Sequence, residues 1–136
     1  MLSRTPTAAP ETLGSILKFA EHQARGAAER LVRGVLGAWP PDGPDARVPA
    51  ADVPRLLTAA AEMTGDAAFA LRLAEAGDPR RFGVLAYTIT TSGTLAEAYG
   101  HAARFLGLWN EGMTLSVVTG EGGSAGGVAA GDRPAR

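Results

Sequence analysis

The sequence predicts a mainly α-helical fold, with a bundle-like N-terminal set of helices followed by the start of a small β-sheet. Three observations carry this. Apolar residues recur at three- and four-residue spacing through the long segments between residues 12 and 109. Acidic or hydroxyl residues stand where those segments open, and glycines stand where they close. Only the run from Met113 to Thr119 alternates as a strand does.

Residues 1–11 hold two prolines and several small polar side chains and read as a disordered arm. From Thr12 to about Leu36 the residues Leu13, Ile16, Leu17, Ala20, Ala24, Ala27, Leu31 and Val35 keep helical spacing; Gly26 should divide this into two helices and Gly37 should end it. AWPPDGPDARVP, with four prolines, cannot continue a helix and predicts a rigid extended connector, with Trp39 packed as a lid on the first helices. An exposed recognition role is the alternative for Trp39.

Asp52 is the expected N-cap of a helix from Val53 to Thr64, with Pro54 in its first turn and a buried stripe of Val53, Leu56, Leu57, Ala60 and Met63. Gly65 closes it. Asp66 should cap the short helix holding Phe69, Leu71 and Leu73, and Asp78-Pro79 should open the next. Val84 to Thr91 mixes strand-favouring residues with a helical context and is assigned as helix. The last helix is the clearest: Leu95, Ala98, Tyr99, Ala102, Phe105, Leu106 and Trp109 share one face at 100° per residue, with Glu97, His101 and Arg104 across from them. Thr94 and Glu97 form its capping box. After the turn at Asn110-Glu111-Gly112, the Met113–Thr119 strand has no evident partner, because residues 120–136 are rich in glycine. They read as a mobile tail.

Composition narrows the function. The 136 residues suit one domain, with residues 12–119 its folded part. Hydrophobic residues make up 46% but aromatics only 6%, so the core should be shallow and rich in alanine. Thirteen basic against fourteen acidic residues leave a net charge of −1, no footprint for a polyanion such as DNA. The absence of cysteine excludes disulfides and thiolate chemistry. Neither a membrane span nor a signal-peptide core stands out, so the cytoplasm is the expected compartment.

The order of segments resembles a known family. RVPAADVPRLLTAAAEMTGDAAFALRLAE followed by RRFGVLAYTITTSGTLAEAYGHAARFL is similar to the arabinose-binding-like N-terminal sensor domain of AraC/XylS-type bacterial transcription regulators. The features are an R-V-P opening, an acidic and apolar helix ending T-G-D, an F-x-L-R-L helix, F-G-x-L-x-Y, and T-L-x-E-A-x-x-x-A-R-F-L. The resemblance covers roughly residues 47–118. It implies an α+β domain in the full family, binding of a small cytoplasmic metabolite, dimerisation, and promoter control through an attached pair of helix-turn-helix units. Nothing like those units is present in the chain, so the expectation is a partial sensor domain from a truncated regulator. It supplies no residue for the effector site.

Motifs with possible chemistry are few. Gly120-x-Gly122-x-x-Ala125 follows the strand in the pattern of a dinucleotide loop, but the glycines and proline after it cannot form the helix that would receive a pyrophosphate. Glu97 and His101, four residues apart, could pair on zinc or a proton, yet no third ligand has suitable spacing; His22 is the only other histidine. Arg72, Arg80 and Arg81 form the densest basic patch, interleaved with Glu75 and Asp78, and read as salt-bridged surface. Tyr87, Tyr99 and Trp109 are candidates for an effector pocket, with core packing as the plainer role.

The expected function is therefore a non-enzymatic, partial effector-sensing and dimerisation domain, without catalytic, metal, cofactor or DNA-binding residues. Its expected partners are a small-molecule effector and a second copy or an intact regulator, with no direct nucleic acid and no membrane. A helical protein-interaction adaptor and an inactive gene product are the alternatives; a small enzyme would need a constellation that is not found.

Overall fold

A computed structural model describes residues 4–116, 118–120 and 123–125, the side chains of residues 79, 82, 84 and those beyond 116 excepted. The chain divides into two compact units, Thr5–Gly77 and a second containing Arg4 and the residues from Asp78 onward. The fold is mainly helical, as predicted.

In the first unit, helix α1 (Glu11–Gln23) and the short α2 (Ala27–Leu31) are separated by Gly26, whose φ of 77° is a left-handed conformation that side chains resist. A π-helical turn, Val32–Leu36, extends α2 and ends at Gly37, also left-handed. Helix α3 (Asp52–Thr64) packs on α1, α2 and the π turn, and α4 (Phe69–Ala76) packs on α3. The core is formed by Leu13, Ile16, Leu17 and Ala20 of α1, Ala27 and Leu31 of α2, and Val53, Leu56 and Ala60 of α3, closed by Phe69. Phe19 meets the Phe69 ring edge-on at 5.2 Å between centroids.

Two expectations are corrected here. Thr7–Ala8, assigned to a disordered arm, forms strand β1, antiparallel to β2 (Val48–Pro49), and Ala8 is fully buried. Arg47 secures the pair, its guanidinium donating to the Thr7 hydroxyl at 3.0 Å and carbonyl at 3.1 Å. Residues 1–3 of that arm lie outside the described residues. Secondly, neither Asp52 nor Asp66 is an N-cap. Asp52 is the first residue of α3 and pairs with Arg55 at 2.9 Å, while Asp66 accepts the Ala68 N–H at 3.0 Å, two residues ahead of it, as an Asx turn one turn too early. Met63, placed in the buried stripe of α3, is exposed.

In the second unit Asp78 does cap a 3₁₀ turn, Pro79–Phe82, accepting the Arg80 N–H at 3.0 Å, with the proline at its first position. Helix α5 (Val84–Thr90) and α6 (Leu95–Trp109) pack together. The long strand predicted over Met113–Thr119 is not formed: 113–116 are irregular, Val117 lies outside the described residues, and a hairpin pairs β3 (Val118–Gly120) with β4 (Gly123–Ala125). The strand thus has the partner that the sequence did not reveal. Residues 121, 122 and 126–136 of the expected mobile tail lie outside the described residues.

The capping box holds in a shifted form. The Thr94 hydroxyl accepts the Glu97 N–H at 3.2 Å, and the Glu97 carboxylate accepts at 2.9 Å from the N–H of Gly93 rather than of Thr94. Thr94→Ala should therefore lower stability by about 0.5–2 kcal/mol, with Thr94→Ser retaining most of it. Urea denaturation checks this, and an unchanged midpoint in the alanine variant would reject the cap.

Candidate functional site

Helix α1 places Glu11, Gly14, Lys18 and Glu21 along one ridge, at spacings of three and four residues. The segment after Gly37 returns along it, because the prolines Pro40 and Pro41 forbid a new helix. Between ridge and connector lies a groove of ≈ 560 Å³, within the size range of metabolite sites. Trp39 is one wall, 59% exposed, so it borders the groove as the expected lid would yet leaves much of its indole open.

The start of the connector is held by α3. Arg55 pairs with Asp52 and also donates to the Val35 carbonyl at 3.2 Å, satisfying an acceptor near the end of the π turn. At the other end of the groove, Glu21 acts as the missing cap of α2, its two oxygens accepting the N–H groups of Gly26 at 2.8 Å and Ala28 at 3.0 Å. The Gly26 bond, then the Ala28 bond, hold its carboxyl below the usual glutamate range, with Arg30 and Arg25 adding to the effect. The lining is net acidic, since Glu11, Glu21 and Asp42 face Lys18 as the one lysine, beside His22.

The candidates named from sequence do not assemble into a second site. Glu97 is engaged with Gly93, and His101 Nδ1 lies 2.9 Å from the Ser92 hydroxyl. Since that hydroxyl donates its proton to the Thr88 carbonyl at 2.7 Å, it accepts from the imidazole N–H, which ties His101 of α6, through Ser92, to the end of α5. Among the described residues no group of three or more His, Asp or Glu side chains could hold a metal. Arg72 pairs with Asp66 at 3.5 Å and Arg80 with Asp78 at 3.1 Å, as expected of salt-bridged surface. Gly120 and Ala125 belong to an antiparallel hairpin, not to a strand leading into a helix, so the dinucleotide reading fails on structure too; Gly122 lies outside the described residues.

Tyr99 and Trp109 are half-buried and Tyr87 is 71% exposed, so simple core packing does not describe Tyr87. The apolar face of α6 departs further from expectation. No residue of α6 is fully buried, and Leu95 and Leu108 are 69% and 72% exposed. Sequence reasoning missed the groove because it set residues 1–11 aside and, apart from Trp39, treated the connector as a rigid spacer. The available signal was Gly14, a helix-breaking residue inside a good helical pattern.

Residues 26–135 match the family model of the arabinose-binding domain of AraC transcription regulators, N-terminal. No curated protein matches the chain. The match includes the connector wall of the groove and leaves α1 outside it.

Glu21 gives the site a pH signature. A carboxyl whose folded pKa lies below its unfolded one contributes stability that is complete above the unfolded value and is lost as pH falls through the folded value. Glu21→Gln, which retains one acceptor oxygen and cannot titrate, should flatten the loss of stability between roughly pH 5 and 3 while lowering stability at pH 7. Thermal melts across that range test it; superimposable acid limbs would show that the carboxylate does not cap α2.

Proposed function

The chain belongs to the family of N-terminal arabinose-binding domains of AraC transcription regulators, and from that premise we propose that it is an effector-sensing module acting in the cytoplasm. The family is one of regulatory ligand-binding domains, not of enzymes. The observation that carries the reading is the match over residues 26–135, and the groove beside α1 supports it by offering a concave, partly apolar surface with convergent polar groups. In this reading the chain converts binding of a small molecule, arabinose being the one in the family's description, into a change read by a DNA-binding partner. It carries out no catalysis and makes no sequence-specific DNA contact itself, since its net charge of −1 gives a polyanion no attraction.

The second part of the proposal is association, with another copy or with an intact regulator of the same type. It is supported by α6, whose Leu95 and Leu108 are exposed although the helix is among the more apolar in the chain. No helix among the described residues is long and apolar enough to cross a membrane.

Sensing predicts a saturable rise in melting temperature with at least one small metabolite, because a ligand that binds only the folded state adds about 2.7 kcal/mol at a concentration a hundredfold above its Kd. A metabolite screen that returns no saturable shift, alongside submicromolar sequence-dependent binding to duplex DNA, would replace the sensor reading with a DNA-binding one. For association, Leu108→Glu should move sedimentation toward the monomer without lowering the melting temperature. A wild-type chain that stays monomeric to high micromolar concentration removes that part of the proposal.

A further inference from the structure

The carboxylates of the groove beside α1 differ from those elsewhere in the chain. Glu29, Asp52, Asp66, Asp78 and Glu111 each stand in an ion pair with an arginine. Among the described residues none of the groove carboxylates, Glu11, Glu21 and Asp42, is paired in this way, although Lys18 lines the same groove three residues before Glu21. Glu21 is engaged instead with the amides of Gly26 and Ala28. Glu11 suits the first turn of α1, where the helix dipole favours a negative charge. That accounts for one carboxylate and not for Asp42, which belongs to the connector.

The aromatic wall is equally unpartnered. Trp39 is largely exposed, and among the described residues neither another ring nor a cation lies against it. An indole left in solvent forgoes a large apolar burial in a chain that has few aromatic residues. Its face carries the negative part of the ring quadrupole and is the best aromatic partner for an ammonium or guanidinium group. We propose that the groove takes an organic cation, an ammonium or guanidinium group on an aliphatic body, with its charge drawn to Glu11 and Asp42 and its head stacked on the Trp39 indole. The inference rests on the sensing reading above and adds the class of the ligand and the place where it sits.

Three carboxylates against one lysine repel an anion and attract a positive charge. That charge is organic rather than metallic, because among the described residues no group of three or more His, Asp or Glu side chains could hold a metal ion. The basic groups gather at one end: Lys18 and His22 follow Glu11 along α1, and Arg25 and Arg30 act on Glu21 from beyond the lining. Glu11 precedes Lys18 by seven residues, about 10 Å along the axis at 1.5 Å per residue, so the attraction for a cation is least opposed at the Glu11 end. The apolar part of the lining, with Pro10, Leu17, Pro40 and Pro41, suits the methylene chain of such an amine. Lys18 is the charged group of the lining that opposes this ligand, so its removal should improve binding.

The test is an amide-resolved NMR titration of the full chain with putrescine and agmatine as cations, 1,4-butanediol as the uncharged counterpart and succinate as the anionic one. Putrescine and agmatine are expected to shift the Trp39 indole N–H and the amides of Asp42 and Gly43 saturably, and more weakly as KCl is raised; butanediol and succinate are not. Lys18→Gln should tighten putrescine binding about two- to fivefold, a gain that a loss of structure cannot produce. Glu11→Gln combined with Asp42→Asn should weaken it at least about fivefold, and Trp39→Leu at least about threefold. All four substitutions replace exposed side chains, and melting curves establish that the variants remain folded. Butanediol or succinate bound in the groove as tightly as putrescine overturns the proposal, as does unchanged putrescine affinity in any of these variants. Cation shifts confined to residues 78–125, or a groove silent to both cations while another metabolite raises the melting temperature, would overturn it and leave the sensing reading standing. Failure of every metabolite in the thermal screen would remove the sensing reading itself.

Discussion

The first unit depends on the reversal at Gly26. The chain leaves α1 at Ala24, which is extended (φ −148°, ψ 117°), and turns into α2 at Gly26 (φ 77°), and this break lets Ala27 and Leu31 join the core that holds Ala20. The reversal leaves the amides at the start of α2 without helical partners, and Glu21, five residues upstream of Gly26, supplies acceptors for two of them. A glycine and a carboxylate thus do together what an ordinary N-cap does alone. The same carboxylate borders the groove, so the group that shapes the fold is also part of the candidate site.

A scarcity of large side chains shapes everything built on that reversal. Among the described residues, six of the fifteen buried apolar ones are alanines, which bury little area each but let helices approach closely. The larger contribution falls on Leu13, Ile16, Leu31, Leu56 and Phe69, all in the first unit. In the second unit the one buried residue among those described is Asn110, which ends α6 and accepts the Gly112 N–H at 2.9 Å. Its helices α5 and α6 pack together without a fully buried apolar residue among those described, and the bonds from His101 to Ser92 and from Ser92 to Thr88 tie α6 to the end of α5. An apolar helix in that setting keeps Leu95 and Leu108 in solvent, which periodicity alone cannot foresee: the pattern tells which face is apolar, not whether anything covers it.

The same distinction explains what was legible in the sequence. Local signals succeeded: Gly26, Gly37 and Gly65 mark the helix ends, Asp78-Pro79 opens its turn, and Thr94 with Glu97 marks the start of α6. Two caps were misplaced by a few residues: Asp52 is already the first residue of α3, and Asp66 stands three residues before α4 begins at Phe69, so each carries the right side chain at the wrong position. Pairings distant in sequence were invisible, because a two-residue strand such as Thr7–Ala8 has no period and exists through Val48, Pro49 and Arg47 some forty residues away. The groove belongs to this last class. Its walls are ordinary helix surface and a proline-rich connector, and neither looks like a site until the fold brings them together.

How the groove is held bears on how it could report a ligand. The connector is anchored at its ends, by the Gly37 N–H on the Val32 carbonyl at 2.7 Å and by Arg47 on Thr7. Between these anchors it has a turn from Ala46 N–H to the Gly43 carbonyl at 3.2 Å and no place in a sheet. A segment fixed at its ends and lightly bonded between them opens at lower free energy than the helices around it. A molecule that touched both α1 and Trp39 would restrain that segment by its own contacts, and the ordering would add to the stability of the unit through mass action. No large rearrangement is needed for such a response. A wall that is less ordered when empty and more ordered when filled already distinguishes the two states, provided that the ligand bears on the connector as well as on the helix.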